Sequence, residues 1–226
     1  MKLPIGSYTF NNTFENCPHK AFHTYVARTI PYEETPEMAW GNKVHRAMEL
    51  RIRYGAPLPD EMKAAEKAAA QFHEMSKKLP VHCEYQVAMT VDGKPCDYAD
   101  YDKVWLRGKI DCAVMDPKGT NAWIVDWKTG NVREDPFELQ TFGLLLKANY
   151  PTLEQIQAEY FWMKPGQNGL RYTFTTHVQV YERIAKLKQE AETYLRAGEW
   201  PKRKNPLCGW CKVTSCEYNK LGKKNG

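Results

Sequence analysis

The stretch IVDWKTG, residues 124–130, places a carboxylate and an ammonium group at the end of an apolar run. Such a run, followed by a Thr-Gly turn signal, is typical of a buried β-strand. Because side chains two residues apart on a strand share a face, Asp126 and Lys128 point in the same direction. The two groups are either a simple ion pair or parts of one site that acts on a bound molecule.

The preceding predicted strand carries another acid, in the segment RGKID at residues 107–111. A turn at 117–121 would join the strands in an antiparallel hairpin and bring Asp111 near Asp126. Two carboxylates in a partly dry site repel each other, and a bound divalent cation relieves that repulsion. The cation can activate water for attack on a phosphodiester, and Lys128 can orient or deprotonate that water. The spacing alone equally allows strand-end acids with a surface lysine partner.

Helical and strand patterns follow each other along the chain in an order that favours an α/β fold with a central mixed β-sheet flanked by helices. Helices are predicted from Asn11 or Asn12 to about Arg28, and at 37–55, 59–78, 134–149 and 178–197. Strands are predicted at 82–91, 103–116, 122–127, 157–164 and 170–177. We expect one domain over residues 1–226, with a helical N-terminal part at 1–80, a core at 81–197 and a cysteine-bearing tail at 198–226.

The 226 residues carry a formal net charge of +5, which is compatible with an anionic partner. The chain contains no run of about 18 apolar residues, and residues 1–17 lack the apolar centre of a signal peptide. We therefore expect a cytoplasmic protein with no membrane partner. Basic residues at 201–206 and 220–224, interleaved with aromatic residues, are typical of a surface for single-stranded nucleic acid, although solvated chain ends and core tryptophans explain them too.

Three of the seven cysteines form a compact group in the tail: Cys208, Cys211 and Cys216. Because cytosolic thiols stay reduced, this spacing indicates ligands of zinc or of an iron–sulfur cluster. A fourth ligand must come from elsewhere, and Cys17 is the leading candidate. A zinc site could instead use His19 or His23 in that position. The remaining cysteines are expected to be ordinary thiols: Cys83, Cys96 and Cys112.

The pattern Gly-x-x-Asp, a short hairpin, and then apolar-Asp-x-Lys-Thr-Gly resembles the nuclease motif of the PD-(D/E)XK superfamily, in its RecB-type branch. The resemblance implies a restriction-endonuclease-like core and a Mg²⁺- or Mn²⁺-dependent DNA nuclease. In that reading Asp111 and Asp126 are metal ligands, and both act in catalysis together with Lys128.

A second segment, GNKVH at residues 41–45, looks like the helical Gly-x-x-x-His element of the same branch. The resemblance implies that His45 is a metal ligand, with Glu49 and Glu84 as further candidate ligands. The alternatives are a partly buried helix histidine, a Glu49 that pairs with neighbouring arginines, and a Glu84 exposed on its strand.

The segment DPFELQTFGLLL, residues 135–146, resembles the helix in which the family has Gln-x-x-x-Tyr. Gln140 matches the glutamine and is predicted to contact DNA; otherwise it is an amide bonded within the helices. Leu144 stands where the family has tyrosine, so the contact made by that tyrosine is not expected.

One N-terminal and three C-terminal cysteines resemble a subset of RecB-type nucleases that includes CRISPR adaptation, phage and repair exonucleases. The resemblance implies a [4Fe–4S] cluster held by four cysteines: Cys17, Cys208, Cys211 and Cys216. Zn²⁺ at the same residues is the alternative.

The sequence thus predicts a bacterial, archaeal or phage-encoded exonuclease that hydrolyses single-stranded DNA or duplex ends in recombination, repair or CRISPR adaptation. Its protein partner would be a recombinase, a helicase or a CRISPR adaptation protein. The chain has no Gly-x-x-x-x-Gly-Lys-Ser/Thr motif and is not expected to hydrolyse ATP by that route. The alternative function is a non-catalytic DNA-binding or scaffold protein that retains the fold and the cluster.

Overall fold

The computed structural model of the protein describes residues 1–219, so the basic stretch at 220–224 lies outside the described residues. The α-helices are α1 Tyr8–Asn16, α2 Pro18–Ala21, α3 Pro36–Tyr54, α4 Glu66–Ser76, α5 Pro136–Asn149 and α6 Val178–Ala197. The strands are β1 Val81–Met89, β2 Leu106–Met115, β3 Asn121–Lys128, β4 Gln155–Trp162, β5 Gln167–Asn168 and β6 Tyr172–Phe174. Short 3-10 helices lie at Asp60–Ala65 and Pro206–Trp210, and a π-helical turn at Phe22–Val26.

The chain divides into two compact units, and the division differs from the predicted boundaries. One unit is Glu34–Val180 and contains the whole β-sheet. The other joins Met1–Glu33 to the described residues from Tyr181 onward, so that segments from both ends of the sequence belong to the same unit. A single nuclease domain over 1–226 stays a prediction.

The sheet of the first unit has the strand order β1-β2-β3-β4-β5, with β6 also paired to β4. Strands β3 and β4 are parallel and the other pairs are antiparallel. A parallel pair needs a crossover connection, and α5 supplies it. The predicted mixed sheet flanked by helices is therefore confirmed.

Helices α3 and α4 pack their apolar side chains on one face of this sheet. Val44, Met48 and Phe72 join Trp127 in one buried core cluster. The Trp127 side chain is 2% exposed, and its ring meets the Phe72 ring edge-on with centroids 5.5 Å apart. Because alternation places Asp126 and Lys128 opposite Trp127, this packing fixes which side of β3 carries the charged groups.

The start and end of α3 follow its sequence signals. The Thr35 side chain accepts a hydrogen bond from the Met38 amide at 3.3 Å, and Pro36 occupies the first turn. Gly55 ends the helix in the left-handed conformation, with φ of 73°. These signals set the position of His45 near the middle of the helix.

The predicted first helix was wrong at both ends. Ser7, not Asn11 or Asn12, caps α1, and the helix ends at Asn16 instead of continuing to Arg28. Cys17 is extended, with φ of −163° and ψ of 103°, because a residue before proline is sterically excluded from helical geometry. Pro18 then starts the short helix α2.

Aromatic side chains from both chain termini form the interior of the second unit. Phe14 on α1 lies 5.8 Å from Tyr194 on α6 and 6.0 Å from Trp200, measured between ring centroids. Phe22 also packs against Trp200, at 5.3 Å. This cluster ties residues 1–33 to the segment that carries the tail cysteines.

In the part of the chain described, no helix is both long and apolar enough to cross a membrane.

Candidate active site

Three predicted metal ligands come together from three different elements of the first unit. His45 on α3 places Nδ1 at 3.1 Å from Asp111 Oδ1 on β2 and at 3.3 Å from Glu84 Oε1 on β1. Among residues 1–219, these three form the only group of His, Cys, Asp and Glu side chains whose ligand atoms all lie within 4.8 Å of one another. An imidazole with two carboxylates suits a divalent cation.

Strands β1, β2 and β3 depart from regular geometry next to His45, Glu84 and Asp111, and these departures orient the carboxylates. Glu84 has a φ of 52°, an unusual left-handed conformation in the middle of β1. The β2–β3 pairing stops at Cys112 and Val125, one residue short of the acids. Asp111 Oδ2 then accepts the Trp127 amide at 2.8 Å. One Asp111 oxygen is thus anchored to backbone while the other faces His45.

Asp126 and Lys128 lie beside this group, at the end of β3. Asp126 is 4% exposed, and its Oδ2 lies 2.7 Å from Lys128 Nζ. The angle is poor, so this buried oxygen accepts no well-directed hydrogen bond from the described residues. Burial, together with the charge of Asp111, raises the pKa of Asp126 to about 6. A buried carboxylate that is repelled by a neighbouring carboxylate has the chemistry of a cation ligand.

The charge states of His45 and Lys128 follow from their carboxylate partners. Burial disfavours the charged form of His45, but Asp111 and Glu84 outweigh burial and raise its pKa to about 10. Burial likewise opposes the charge on Lys128, and Asp126 and Glu138 outweigh it and hold its pKa above the ordinary value. Both side chains therefore carry a positive charge at neutral pH, and Lys128 is suited to stabilise negative charge.

Two predicted site residues stay apart from this group. Glu49 borders the same cleft as His45 and Asp111, but its carboxylate pairs with Arg46 at 2.7 Å and Arg53 at 3.2 Å. Gln140 is half-buried on α5, and its side chain has no hydrogen-bond partner within residues 1–219. The roles of both residues stay predictions.

One residue near Lys128 was not predicted. Glu138, in the first turn of α5, places Oε2 at 2.9 Å from Lys128 Nζ. Acidic residues are common in the first turn of a helix because they interact favourably with the helix dipole. The position of Glu138 therefore gave no sign of a further role. The available signal was the crossover itself, because a helix that directly follows β3 begins near the end of that strand.

The four predicted cluster cysteines line one cavity of the second unit, together with His19, Lys20 and Arg203. All four are half-buried free thiols: Cys17, Cys208, Cys211 and Cys216. Three of them are carried by the 3-10 helix Pro206–Trp210 and the turn after it. The Asn205 amide donates to Cys208 Sγ at 3.4 Å, which positions that thiol.

The sulfurs of these cysteines are not gathered around one point. Among the described residues, no three of them lie within 4.8 Å of one another. The identity of a group bound by these thiols stays a prediction, with a [4Fe–4S] cluster and Zn²⁺ as the alternatives.

The chain is similar to a nuclease superfamily, to a phage protein and to a solved structure. The family model of the PD-(D/E)XK nuclease superfamily matches residues 7–216. Gene 69 protein of Mycobacterium phage L5 is 29% identical over 125 residues, which cover 52% of this chain and 41% of that protein. This chain therefore spans less than half the length of that relative. The crystal structure of SSO0001 aligns over 96% of this chain and 88% of that chain, with a TM-score of 0.48 and 12% identity.

The family match includes β1 to β4, the candidate metal ligands and the cysteines. The superfamily has the restriction-endonuclease-like fold and uses divalent metals, in agreement with the mixed sheet and the His45, Glu84 and Asp111 group. The protein belongs to the PD-(D/E)XK nuclease superfamily.

Proposed function

We propose that the protein is a Mg²⁺- or Mn²⁺-dependent exonuclease of the RecB-type branch that acts on single-stranded DNA or duplex ends. The observation that carries this proposal is the convergence of His45, Glu84 and Asp111 beside Lys128. A binding protein has no chemical need for this combination of three ligands and a buried ammonium. The DNA substrate follows from the superfamily.

In the proposed mechanism the cation is held by four side chains: His45, Glu84, Asp111 and Asp126. When bound, the metal lowers the pKa of a coordinated water and offsets charge on the scissile phosphate. Asp111 is oriented by the Trp127 amide, so its Oδ1 needs no reorganisation. Lys128 donates hydrogen bonds from its ammonium to the water or to a phosphate oxygen.

The cleft around these ligands is bordered by basic side chains that suit a phosphate backbone. Arg46 and Lys109 line it together with His45. Arg46 is 64% exposed and Lys109 is 48% exposed, although each pairs with a glutamate. Their positive charge supports binding of the strand that carries the scissile bond.

Exonuclease action, and a role in recombination, repair or CRISPR adaptation, are proposed from the cysteine pattern. We further propose that Cys17, Cys208, Cys211 and Cys216 hold a [4Fe–4S] cluster. This is supported by their common cavity. A recombinase, a helicase or a CRISPR adaptation protein is the proposed partner, on the same pattern.

The nuclease proposal is tested with end-labelled linear DNA and closed circular single strands, each with Mg²⁺ or Mn²⁺. An exonuclease degrades the linear strands and leaves the circles intact, whereas an endonuclease cuts both. Lys128→Ala should lower the rate of degradation roughly a thousandfold and leave a slow residual rate that long incubations can measure. If the wild type binds DNA but degrades no substrate with either metal, the protein is a scaffold with a nuclease fold.

The cluster proposal is tested by iron and sulfide analysis of protein purified without oxygen. We expect a brown protein with four irons per chain, and a colourless Cys208→Ala variant. A colourless wild type with one zinc per chain would contradict the iron–sulfur assignment.

A further inference from the structure

Lys128 has a second carboxylate partner that the nuclease motif does not include. Its Nζ lies 2.7 Å from Asp126 Oδ2 and 2.9 Å from Glu138 Oε2. Asp126 comes from the same strand, whereas Glu138 comes from α5. The ammonium is therefore held between two independent elements of the fold.

Glu138 is itself held in place from the other side. The Tyr160 hydroxyl on β4 lies 3.0 Å from Glu138 Oε2 and 2.8 Å from the Asp135 carbonyl oxygen, and its one proton is shared between these two acceptors. Tyr160 is fully buried and stands opposite Asp126 in the parallel β3–β4 register. Its ring centroid lies 5.1 Å from Lys128 Nζ, which adds a cation–π contact.

This arrangement is unlike a surface ion pair. The Glu138 side chain is 14% exposed and the Lys128 side chain 29% exposed. Burial raises the pKa of Glu138, and Lys128 counteracts that rise. A mostly buried pair with an additional hydrogen bond has a defined geometry, whereas exposed pairs exchange partners freely.

The two carboxylates differ in what else they can do. Asp126 is close enough to Asp111 for their charges to repel each other, and a cation bound between the two carboxylates would relieve that repulsion. A carboxylate that shares its charge with a cation attracts an ammonium less strongly. Glu138 lies outside the group formed by His45, Glu84 and Asp111, so its hold on Lys128 persists.

We propose that Glu138 is a positioning residue, fixed by Tyr160, that keeps the Lys128 ammonium directed at the reacting phosphate when Asp126 binds metal. This inference rests on the proposed nuclease function. It predicts that Glu138 affects the rate of cleavage and leaves the binding of DNA and metal unchanged.

The kinetic test compares Glu138→Gln, Glu138→Asp and the exposed control Glu154→Gln, with melting curves to verify folding. We expect Glu138→Gln to lower kcat by about tenfold to a hundredfold with KM for DNA unchanged, as displacement of a catalytic group does. Glu138→Asp should recover part of the rate. Tyr160→Phe, which keeps every charge, should lower kcat less than Glu138→Gln.

A double variant separates positioning from a structural role. If Glu138 acts through Lys128, then Lys128→Ala with Glu138→Gln is no slower than Lys128→Ala alone. Additive losses, or a change in KM without a change in kcat, would overturn the proposal. An active Lys128→Ala variant would instead contradict the proposed nuclease mechanism.

A second readout needs no activity. In ¹⁵N-labelled protein with Mg²⁺ and without DNA, the Lys128 ammonium should give a resolved NMR signal because its protons exchange slowly with water. The signal should disappear in Glu138→Gln and persist in Glu154→Gln. Its persistence in Glu138→Gln with Mg²⁺ present would show that Glu138 is not needed to hold the lysine, and would refute the positioning role.

Discussion

The two candidate sites of the molecule are built on opposite plans. At the acidic site in residues 34–180, the ligands already balance one another, because His45 and Lys128 supply positive charge to the carboxylates. The cysteine cavity in the other unit combines four free thiols with three basic side chains, His19, Lys20 and Arg203. The charges of the first site are paired without a metal, so we expect that site to fold without its cation, whereas a cluster bound by the four thiols would add cohesion to the aromatic core of the second unit.

The largest expected effect is on activity at the acidic site. Asp111→Asn keeps the acceptor for the Trp127 amide and removes the ligand charge. We expect cleavage to fall roughly a thousandfold, in the range observed when a preorganised electrostatic group is lost. The melting temperature, and the iron content if the proposed cluster is present, should stay close to wild type; parallel loss of iron would mean that the two sites are not independent.

A substitution in the core of the first unit should lower the free energy of unfolding of that unit and leave the second unit unchanged. Phe72→Ala removes a ring that is 4% exposed and packs on Trp123 and Trp127. We expect a loss of about 3 kcal/mol in the free energy of unfolding, measured by urea titration with tryptophan fluorescence. The same change should not alter the visible spectrum of the cysteine-bound group.

Loss of one thiol should affect mainly the second unit. If a cluster joins Cys17 to the tail, Cys208→Ala opens a long loop and should cost about 2 kcal/mol, by analogy with a covalent cross-link. Limited proteolysis should then cut residues 198–219 faster, while the cleavage of DNA per folded molecule changes less than in Asp111→Asn. Cys96→Ala, outside the cavity, is the matched control and should behave as wild type.

The smallest effect is a pH dependence of metal binding. The pKa of His45, raised to about 10, keeps it protonated at neutral pH, and a cation needs the neutral imidazole. Affinity for Mn²⁺ should therefore rise with pH, by about tenfold per unit below pH 10, as one proton is released. Calorimetry in two buffers measures that proton, and a His45→Gln variant that shows the same slope would contradict this origin.

The raised pKa of His45 also predicts that the free energy of unfolding of the metal-free protein falls as pH rises, opposite to the affinity for Mn²⁺. Because the folded pKa of His45 lies above its unfolded value, its pairing stabilises the metal-free protein fully below about pH 6.5. That contribution is lost as pH rises toward 10.

The sequence predicted the hairpin and the approach of Asp111 to Asp126 because alternation and turn signals are local. It also indicated His45 and Glu84, which the structure places beside Asp111. Glu138 was missed because its partner Lys128 is ten residues away in sequence and meets it only through the crossover. The end of the first helix at Asn16 was not predicted. Pro18 disfavours helical geometry at Cys17, but the predicted cap at Asn11 or Asn12 required a helix that continued past this proline.

The left-handed Glu84 has a consequence for engineering. A non-glycine side chain in this conformation costs roughly 1 kcal/mol relative to ordinary strand geometry. Glycine or asparagine at this position would relax the backbone, so a search for thermostable variants would select them. Each would also remove a carboxylate beside His45, and heat resistance gained there would come at the expense of turnover.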